Sequence, residues 1–187
     1  MNTGAITTIV LAAGASTRLG RPKQLVLRDG IPLAARAART ALEAALGPVL
    51  VVLGAQAEAV ADALAGLDVA LVTNTRWEDG MGTSIAAGVA DAAQRPSCEA
   101  VILMTCDQPG VSNAHLTALA AEWRRAGAEA VGSAYGGSVG IPALFARQGF
   151  PSLMALEPGS GAKTLLRGAT ALACPACEAD IDTPEDL

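Results

Sequence analysis

The sequence predicts an α/β fold: a single domain, three layers deep, with a mostly parallel sheet carrying helices on both faces. Three observations predict it. Apolar runs that read as strands alternate with helical stretches along the chain, the pattern of a parallel sheet built from crossover units. The 187 residues are enough for one domain with a real core. No internal repeat or low-complexity linker divides residues 1–187, so they read as one unit.

The elements follow in order. Ile6–Ala13 (ITTIVLAA) is a buried strand ending in small residues, and the loop GASTRLGRPKQ follows it. Pro32 suits a first helical turn and opens a helix through about Leu46, stopped by Gly47-Pro48. VLVVLG is the second strand, a helix spans Gln56–Ala65, and DVALVT is the third strand. After the loop NTRWEDGMG comes a helix over Thr83–Gln94, then a fourth strand, AVILMT, that empties into CDQPGVS. Ser112 or Asn113 caps a helix to Arg125, which Gly127 ends. EAVGSAY reads as a fifth strand. Beyond Gly136 the pattern weakens to short helical pieces at Pro142–Arg147, Leu153–Leu156 and Ala162–Arg167, a short strand at Ala171–Cys174, and the tail EADIDTPEDL.

Composition narrows the function. Hydrophobic residues make up 51% of the chain but aromatics only 3%, so the core is built from Ala, Val, Leu and Ile. Thirteen basic against 18 acidic residues give a net charge of −5. Without a basic stripe or an aromatic stacking platform, a polymeric nucleic-acid partner is not expected. A small anion is compatible with this balance, because a few local cations and backbone N–H groups can hold it. No apolar run is long enough to span a membrane, and the amino terminus lacks a basic signal-peptide region. A cytoplasmic protein with reduced thiols is expected. Of the four cysteines, Cys98, Cys106, Cys174 and Cys177, the last two form a Cys-Pro-Ala-Cys run. It lies far from the early helix start of a thioredoxin-like site and has no second pair to make a zinc knot, so one packed and one connecting cysteine are expected. His115, the sole histidine, is expected on a solvated helix face. Trp77, Met81 and Trp123 read as packing or rim residues.

The segment LAAGASTRLGRPK, Leu11 to Lys23, carries the most information. It follows the first strand, and ligands of open α/β sheets bind beyond the carboxyl ends of strands. Gly14, Ala15 and Ser16 have small side chains that let backbone N–H groups approach a polyphosphate, and Arg18 and Lys23 add two cations. Gly14 and Gly20 do not make the dinucleotide spacing Gly-x-Gly-x-x-Gly, which disfavours an NAD-linked oxidoreductase; GSGAKT only imitates a Walker A loop. Asp107 leaves a buried strand into a loop, where a carboxylate can hold Mg²⁺. In an extended tail, Asp180 and Asp182 share one side and Ile181 takes the other.

This segment resembles the signature of the MobA-like NTP transferases, L-A-[AG]-G-x-S-x-R-M-G-x-x-K. Leu11, Ala12, Ala13, Gly14, Ser16, Arg18, Gly20 and Lys23 match it, with Leu19 in place of Met. GMGTSIAAGV, CDQP and DIDTPEDL resemble motifs of one branch, the molybdenum cofactor cytidylyltransferases. The resemblance implies a nucleotide-diphospho-sugar transferase-like sheet with one antiparallel strand. It implies CTP as nucleotide and a phosphorylated acceptor such as molybdopterin, with transient contact with a molybdoenzyme or its chaperone. Nucleotide contacts would come from Leu11, Ala12, Ala13, Gly14, Ala15 and Ser16, with Gly82 and Ser84 at base and ribose. Arg18 would hold the β- and γ-phosphates and Lys23 the α-phosphate, with Mg²⁺ on Asp107 and on Asp180 or Asp182. One stretch departs from the branch: G-D-x-G-A-R has become EPGSGAK, with Pro158-Gly159 where Gly-Asp is expected and Lys163 for Arg. The acceptor therefore stays open. A sugar or polyol phosphate is an alternative, and so is a non-catalytic nucleotide or cofactor carrier.

Overall fold

The structure is a computed structural model and describes residues 5–186. Residues 1–4, and Leu187 at the end of the tail motif, lie outside the described residues. The first half comprises β1 (Ala5–Ala12), a short hairpin of β2 (Leu27–Arg28) and β3 (Ile31–Pro32), α1 (Leu33–Glu43), β4 (Val49–Leu53), α2 (Ala57–Ala63) and β5 (Ala70–Thr73). There follow α3 (Met81–Ala93), β6 (Cys98–Thr105), α4 (Asn113–Ala126), β7 (Ala130–Tyr135), β8 (Ser138–Ala146), α5 (Phe150–Met154) and β9 (Thr170–Ala173). Seven strands form one sheet in the order β5-β4-β1-β6-β8-β7-β9. All neighbours pair in parallel except β8, which runs antiparallel to both β6 and β7.

Alternation along β1 explains the layers. Ile6, Val10 and Ala12 enter one core cluster, while Ile9 and Leu11 enter the other, as successive side chains of a strand must. The first face is covered by Ala34, Ala38 and Ala41 of α1 and by Leu116 and Leu119 of α4. The second is covered by Ile85 and Val89 of α3 and by Phe150 and Leu153 of α5. The small alanine faces and the near absence of aromatics are compatible because the helices lie close to the sheet.

Several elements differ from the sequence reading. Helix α2 spans Ala57–Ala63 rather than Gln56–Ala65, and α3 starts at Met81 rather than Thr83. Helix α5 is Phe150–Met154 rather than Leu153–Leu156, because Phe150 and Leu153 are buried together in the cluster under α3. The first helix ends at Glu43 rather than near Leu46, because Ala45 adopts φ 52° and Gly47 φ 146°, which turn the chain toward β4. Pro142–Arg147 is not helical but belongs largely to β8. Its residues are adequate helix formers, yet the slot between β6 and β7 buries Ala143, Leu144, Phe145 and Ala146, and that burial overrides local preference. Ser112, rather than Asn113, caps α4: its Oγ accepts the His115 N–H at 3.2 Å, and Gly127 closes the helix at φ 60°.

Gly88 fixes how closely α3 rests on the sheet. A Cβ there would stand 2.7 Å from Ile9 Cγ2 and 2.9 Å from Val52 Cγ2, both on buried side chains with little room to yield. Gly88→Ala is expected to lose about 1–3 kcal/mol of stability by overpacking, despite the better helix propensity of alanine, measured by urea unfolding. An unchanged or raised midpoint would show that α3 can lift off the sheet freely.

Candidate active site

Because β1 and β6 are parallel neighbours, the loops after Ala12 and Thr105 leave the same edge of the sheet. The first loop is held in shape by its own polar groups. Ser16 sits at φ 56°, its carbonyl accepts the N–H groups of Leu19 and Gly20, and its Oγ accepts the Lys23 N–H at 3.0 Å. Gln24, almost fully buried, donates through Nε2 to Ala12 O at 3.1 Å and Gly14 O at 2.6 Å. Sequence reasoning missed Gln24; its position directly after Lys23, inside the signature loop, was the available signal. Ala15 is exposed and Ser16 half-buried on the outer part of this loop.

Two clefts meet at Lys23 and Asp107. One, of about 250 Å³, is lined by Leu11, Ala12, Ala13 and Gly14 together with Trp77, Met81 and Ser84. The second, of about 300 Å³, is lined by Arg18, Tyr135, Lys163, Asp180 and Asp182. Ser84 is buried and receives a hydrogen bond at 3.0 Å from Asn74 Nδ2, which also donates to Thr83 Oγ1 at 2.8 Å. Asn74 was also missed, although an Asn directly after a strand is a turn signal: its Oδ1 accepts the Arg76 N–H. Gly82 stands outside the lining of both clefts. Its N–H donates to Pro158 O at 2.8 Å, and a side chain there would strike the Glu157 and Pro158 carbonyls.

The acidic groups converge on Lys23. Its Nζ lies 2.5 Å from Asp107 Oδ2 and 2.7 Å from Asp182 Oδ1, while Arg18 reaches the other oxygen of Asp182 at 2.8 Å. Burial alone would push the Lys23 ammonium down, but the charges and hydrogen bonds of Asp107 and Asp182 outweigh it and hold it above its ordinary value. The hydrogen bond from Lys23 holds Asp182 below the usual carboxylate range, helped by both cations. Asp180 moves the opposite way, raised by burial and by repulsion from Asp182 and Asp107. Cys106, beside Asp107, is fully buried and its thiol is pushed up to about 12, chiefly by burial, which removes it as a nucleophile at neutral pH.

The carboxylates arrive on segments far apart in sequence. The tail is docked by Ile181, whose N–H donates to Asp107 O at 2.9 Å and whose side chain is buried with Leu19, Val26 and Leu33. Leu19, at the signature position usually held by Met, is thus part of the seat for the tail. Asp107 and Asp182 both bond the Lys23 ammonium, and Asp180 stands near enough to be repelled by both, so two hard carboxylates already meet on a cation. That donor chemistry fits a divalent ion such as Mg²⁺, which takes one or two carboxylates together with phosphates.

Two expectations are corrected here. His115 is not on a solvated face: it is half-buried, and its Nε2 lies 2.7 Å from Ser133 Oγ because α4 packs against β7. Cys174 and Cys177 are not separated into packed and connecting residues. Both are buried, and they are joined as a disulfide, because the turn after β9 returns the chain to a Cα–Cα separation of 5.3 Å.

A mostly parallel sheet with a small-residue loop, two cations and two paired carboxylates at its carboxyl edge belongs to the nucleotide-handling α/β class. The chain is a member of the MobA-like NTP transferase domain family, which it matches over residues 8–174. It is 30% identical to the Purine catabolism protein PucB of Bacillus subtilis, over 95% of this chain and 92% of that protein. It is 43% identical to the Nicotine blue oxidoreductase of Paenarthrobacter nicotinovorans over 57% of this chain, a match spanning only about half (52%) of that protein. The crystal structure of Rv0371c from Mycobacterium tuberculosis superposes with a TM-score of 0.83 at 29% identity, covering 98% of this chain and 96% of that one. A second structure of Rv0371c is a complex with manganese.

The raised Asp180 gives a test with a definite sign. A carboxylate with a raised folded-state pKa costs stability above that pKa, and the cost disappears as the pH falls through it. Asp180→Asn is therefore expected to stabilise the metal-free protein at pH 7, by less than about 1 kcal/mol for so exposed a group, with the gain vanishing in acid. The same variant should bind Mn²⁺ more weakly. Thermal unfolding in chelator at pH 7 and pH 4, beside a Mn²⁺ titration, reads both; destabilisation at pH 7 would contradict the repulsion.

Proposed function

We propose that this protein is a Mg²⁺-dependent nucleotidyltransferase that moves CMP from CTP to the molybdopterin form of the molybdenum cofactor and releases pyrophosphate. The observation that carries the transferase reading is the seat of Lys23, at the junction of the two clefts and between Asp107 and Asp182. One cleft then takes the nucleotide and the other the acceptor, so the transferred α-phosphorus lies at their junction. An acceptor phosphate oxygen attacks that phosphorus in line, and the bond to the β-phosphate oxygen breaks as pyrophosphate leaves.

In this reading, Lys23 exchanges a carboxylate for an α-phosphate oxygen and stabilises the charge that grows there. Arg18 exchanges Asp182 for the β- and γ-phosphates, its planar fork suiting phosphate oxygens. Ala12, Ala13 and Gly14 allow close backbone approach, and Ser16 holds the loop in the shape that presents its N–H groups. Ser84 lines the nucleotide cleft and would contact the ribose. Asp107 and Asp182, with Asp180 beside them, would hold Mg²⁺, which when bound neutralises phosphate charge and orients the leaving group.

Ala13 supports the choice of CTP. Its methyl is buried in the lining of the cleft beside Trp77, close enough that a Cβ on Gly54 would stand 2.8 Å from it and 2.5 Å from Trp77 Cβ. A methyl here, where glycine would leave space, narrows the base pocket in favour of a pyrimidine over a purine, and misplaced base edges would leave polar groups unpaired. The acceptor rests on the branch motifs. A hollow of about 450 Å³ lined by Ser160, Lys163, Thr164 and Arg167 shares Gly161 and Lys163 with the acceptor cleft and offers two cations to a phosphate. The change of G-D-x-G-A-R to EPGSGAK favours, as a second reading, the same transfer to a sugar or polyol phosphate.

Incubation with each NTP, Mg²⁺ and Mo-molybdopterin, followed by pyrophosphate release and product mass, tests the proposal. Release with a different phosphorylated acceptor would select the second reading, and none with any acceptor would leave a carrier. Wild-type protein is expected to prefer CTP over GTP by roughly tenfold or more in kcat/KM, and Ala13→Gly to narrow the gap. Equal use of CTP and GTP would overturn the cytidylyl assignment while sparing nucleotidyl transfer. Lys23→Ala is expected to lower kcat by on the order of a hundredfold with a smaller change in nucleotide affinity. A kcat within about threefold of wild type would remove Lys23 from the chemistry.

A further inference from the structure

At the end of β9, on the α4 side of the sheet, is a cluster that the transferase chemistry does not use. One ligand atom from each of His115, Cys174 and Cys177 lies within 4.8 Å of the others, and both cysteines are buried. We propose that in the reduced chain these three residues form a site for a soft, closed-shell divalent ion of the Zn²⁺ type, separate from the carboxylate site.

The chemistry of the donors separates the two sites. Asp107, Asp180 and Asp182 offer only hard oxygens, whereas His115, Cys174 and Cys177 offer one imidazole nitrogen and two sulfurs, the set that Zn²⁺ prefers over Mg²⁺. Charge favours occupancy as well. Two thiolates and a neutral imidazole around a dication sum to zero, which a buried position tolerates far better than two bare thiolates.

The hydrogen bonds around His115 fix its tautomer. Ser133 Oγ donates its single proton to Pro142 O at 2.5 Å, so toward His115 Nε2, 2.7 Å away, it can only accept. Nε2 therefore carries the proton, and Nδ1 keeps the lone pair free for a metal. A ligating histidine whose second nitrogen is fixed by a hydrogen bond is the common arrangement of protein metal sites. The ion would also be linked to the transferase site. Gln108 Nε2 donates to Cys177 O at 2.8 Å, and Ile181, four residues on, bonds Asp107 O. Fixing Cys177 thus fixes the start of the segment that delivers Asp180 and Asp182.

Disulfide and metal site are alternative states of the same sulfurs. A dithiol reductant supplies two electrons and two protons to open the Cys174–Cys177 bond, and metal binding then displaces both thiol protons. Oxidised protein should bind no ion here.

The test uses the full-length protein with Co²⁺ and Zn²⁺ as probes. After reduction with a phosphine, it should bind Co²⁺ with a sulfur-to-cobalt charge-transfer band, which oxygen ligands cannot produce. The band should persist in Asp107→Asn, vanish in Cys177→Ser, vanish on oxidation by diamide, and need on the order of tenfold or more Co²⁺ in His115→Ala. Zn²⁺ should also slow alkylation of Cys174 and Cys177 in reduced wild-type protein, a readout independent of whether a variant folds. No charge-transfer band in reduced wild type, or alkylation of Cys174 and Cys177 unaffected by Zn²⁺, would overturn the proposal and leave the pair as a disulfide only. Neither result bears on the transferase assay.

Discussion

The ammonium of Lys23, held between Asp107 and Asp182, is the contact on which the arrangement of the site depends. A half-buried ammonium or carboxylate is costly unless its charge is met, so each of these groups makes the others tolerable. The three come from the loop after β1, the loop after β6 and the carboxyl-terminal tail, and their mutual attraction closes three otherwise independent segments around one point. It also keeps Asp182 ionised and Lys23 protonated, the states needed to receive a cation and a polyphosphate. Among the described residues Asp180 makes no ion pair, and the repulsion of the other two carboxylates outweighs the attraction of Lys23. That residual repulsion is the expected cost of a site organised to hold a multiply charged ligand.

Charge alone does not place these groups; packing does. Ile181 enters a small apolar cluster with Leu19, Val26 and Leu33, and its amide ties the tail to the Asp107 carbonyl. Leu19 belongs to the same loop as Arg18 and Lys23, so one loop supplies both cations and part of the seat that brings their partner carboxylate. Gln24 fastens that loop to the end of β1 through two backbone carbonyls. The loop is therefore shaped before any ligand arrives, and less ordering is left for binding to supply.

The two faces of the sheet carry different tasks. On the α3 side, close approach at Gly88 and Gly54 brings Trp77 and Ser84 against the Ala13 end of the cleft, so packing sets its width. On the α4 side, His115 reaches β7 and the turn after β9, where the paired cysteines precede the tail. The segment that carries the acidic residues thus leaves a fixed turn on one side and docks by Ile181 on the other.

The sequence by itself determined the alternation of strands and helices, the position of the signature loop after the first strand, and the residue types available there. These are local facts: periodicity, caps, and side-chain chemistry do not depend on what packs where. Tertiary structure decided the rest. The stretch Pro142–Arg147 became strand because a sheet position was vacant between β6 and β7, which no local propensity records. Gln24 and Asn74 became framework residues because buried carbonyls and hydroxyls required donors, and those requirements exist only once the loops are folded. The sequence alone points His115 to solvent because its partners, Ser133 and the two cysteines, lie 18 and about 60 residues away, and only the packing of α4 on β7 brings them together. Spacing along the chain cannot reveal contacts made by topology, since parallel strands bring distant segments to one edge with no trace in the intervening sequence.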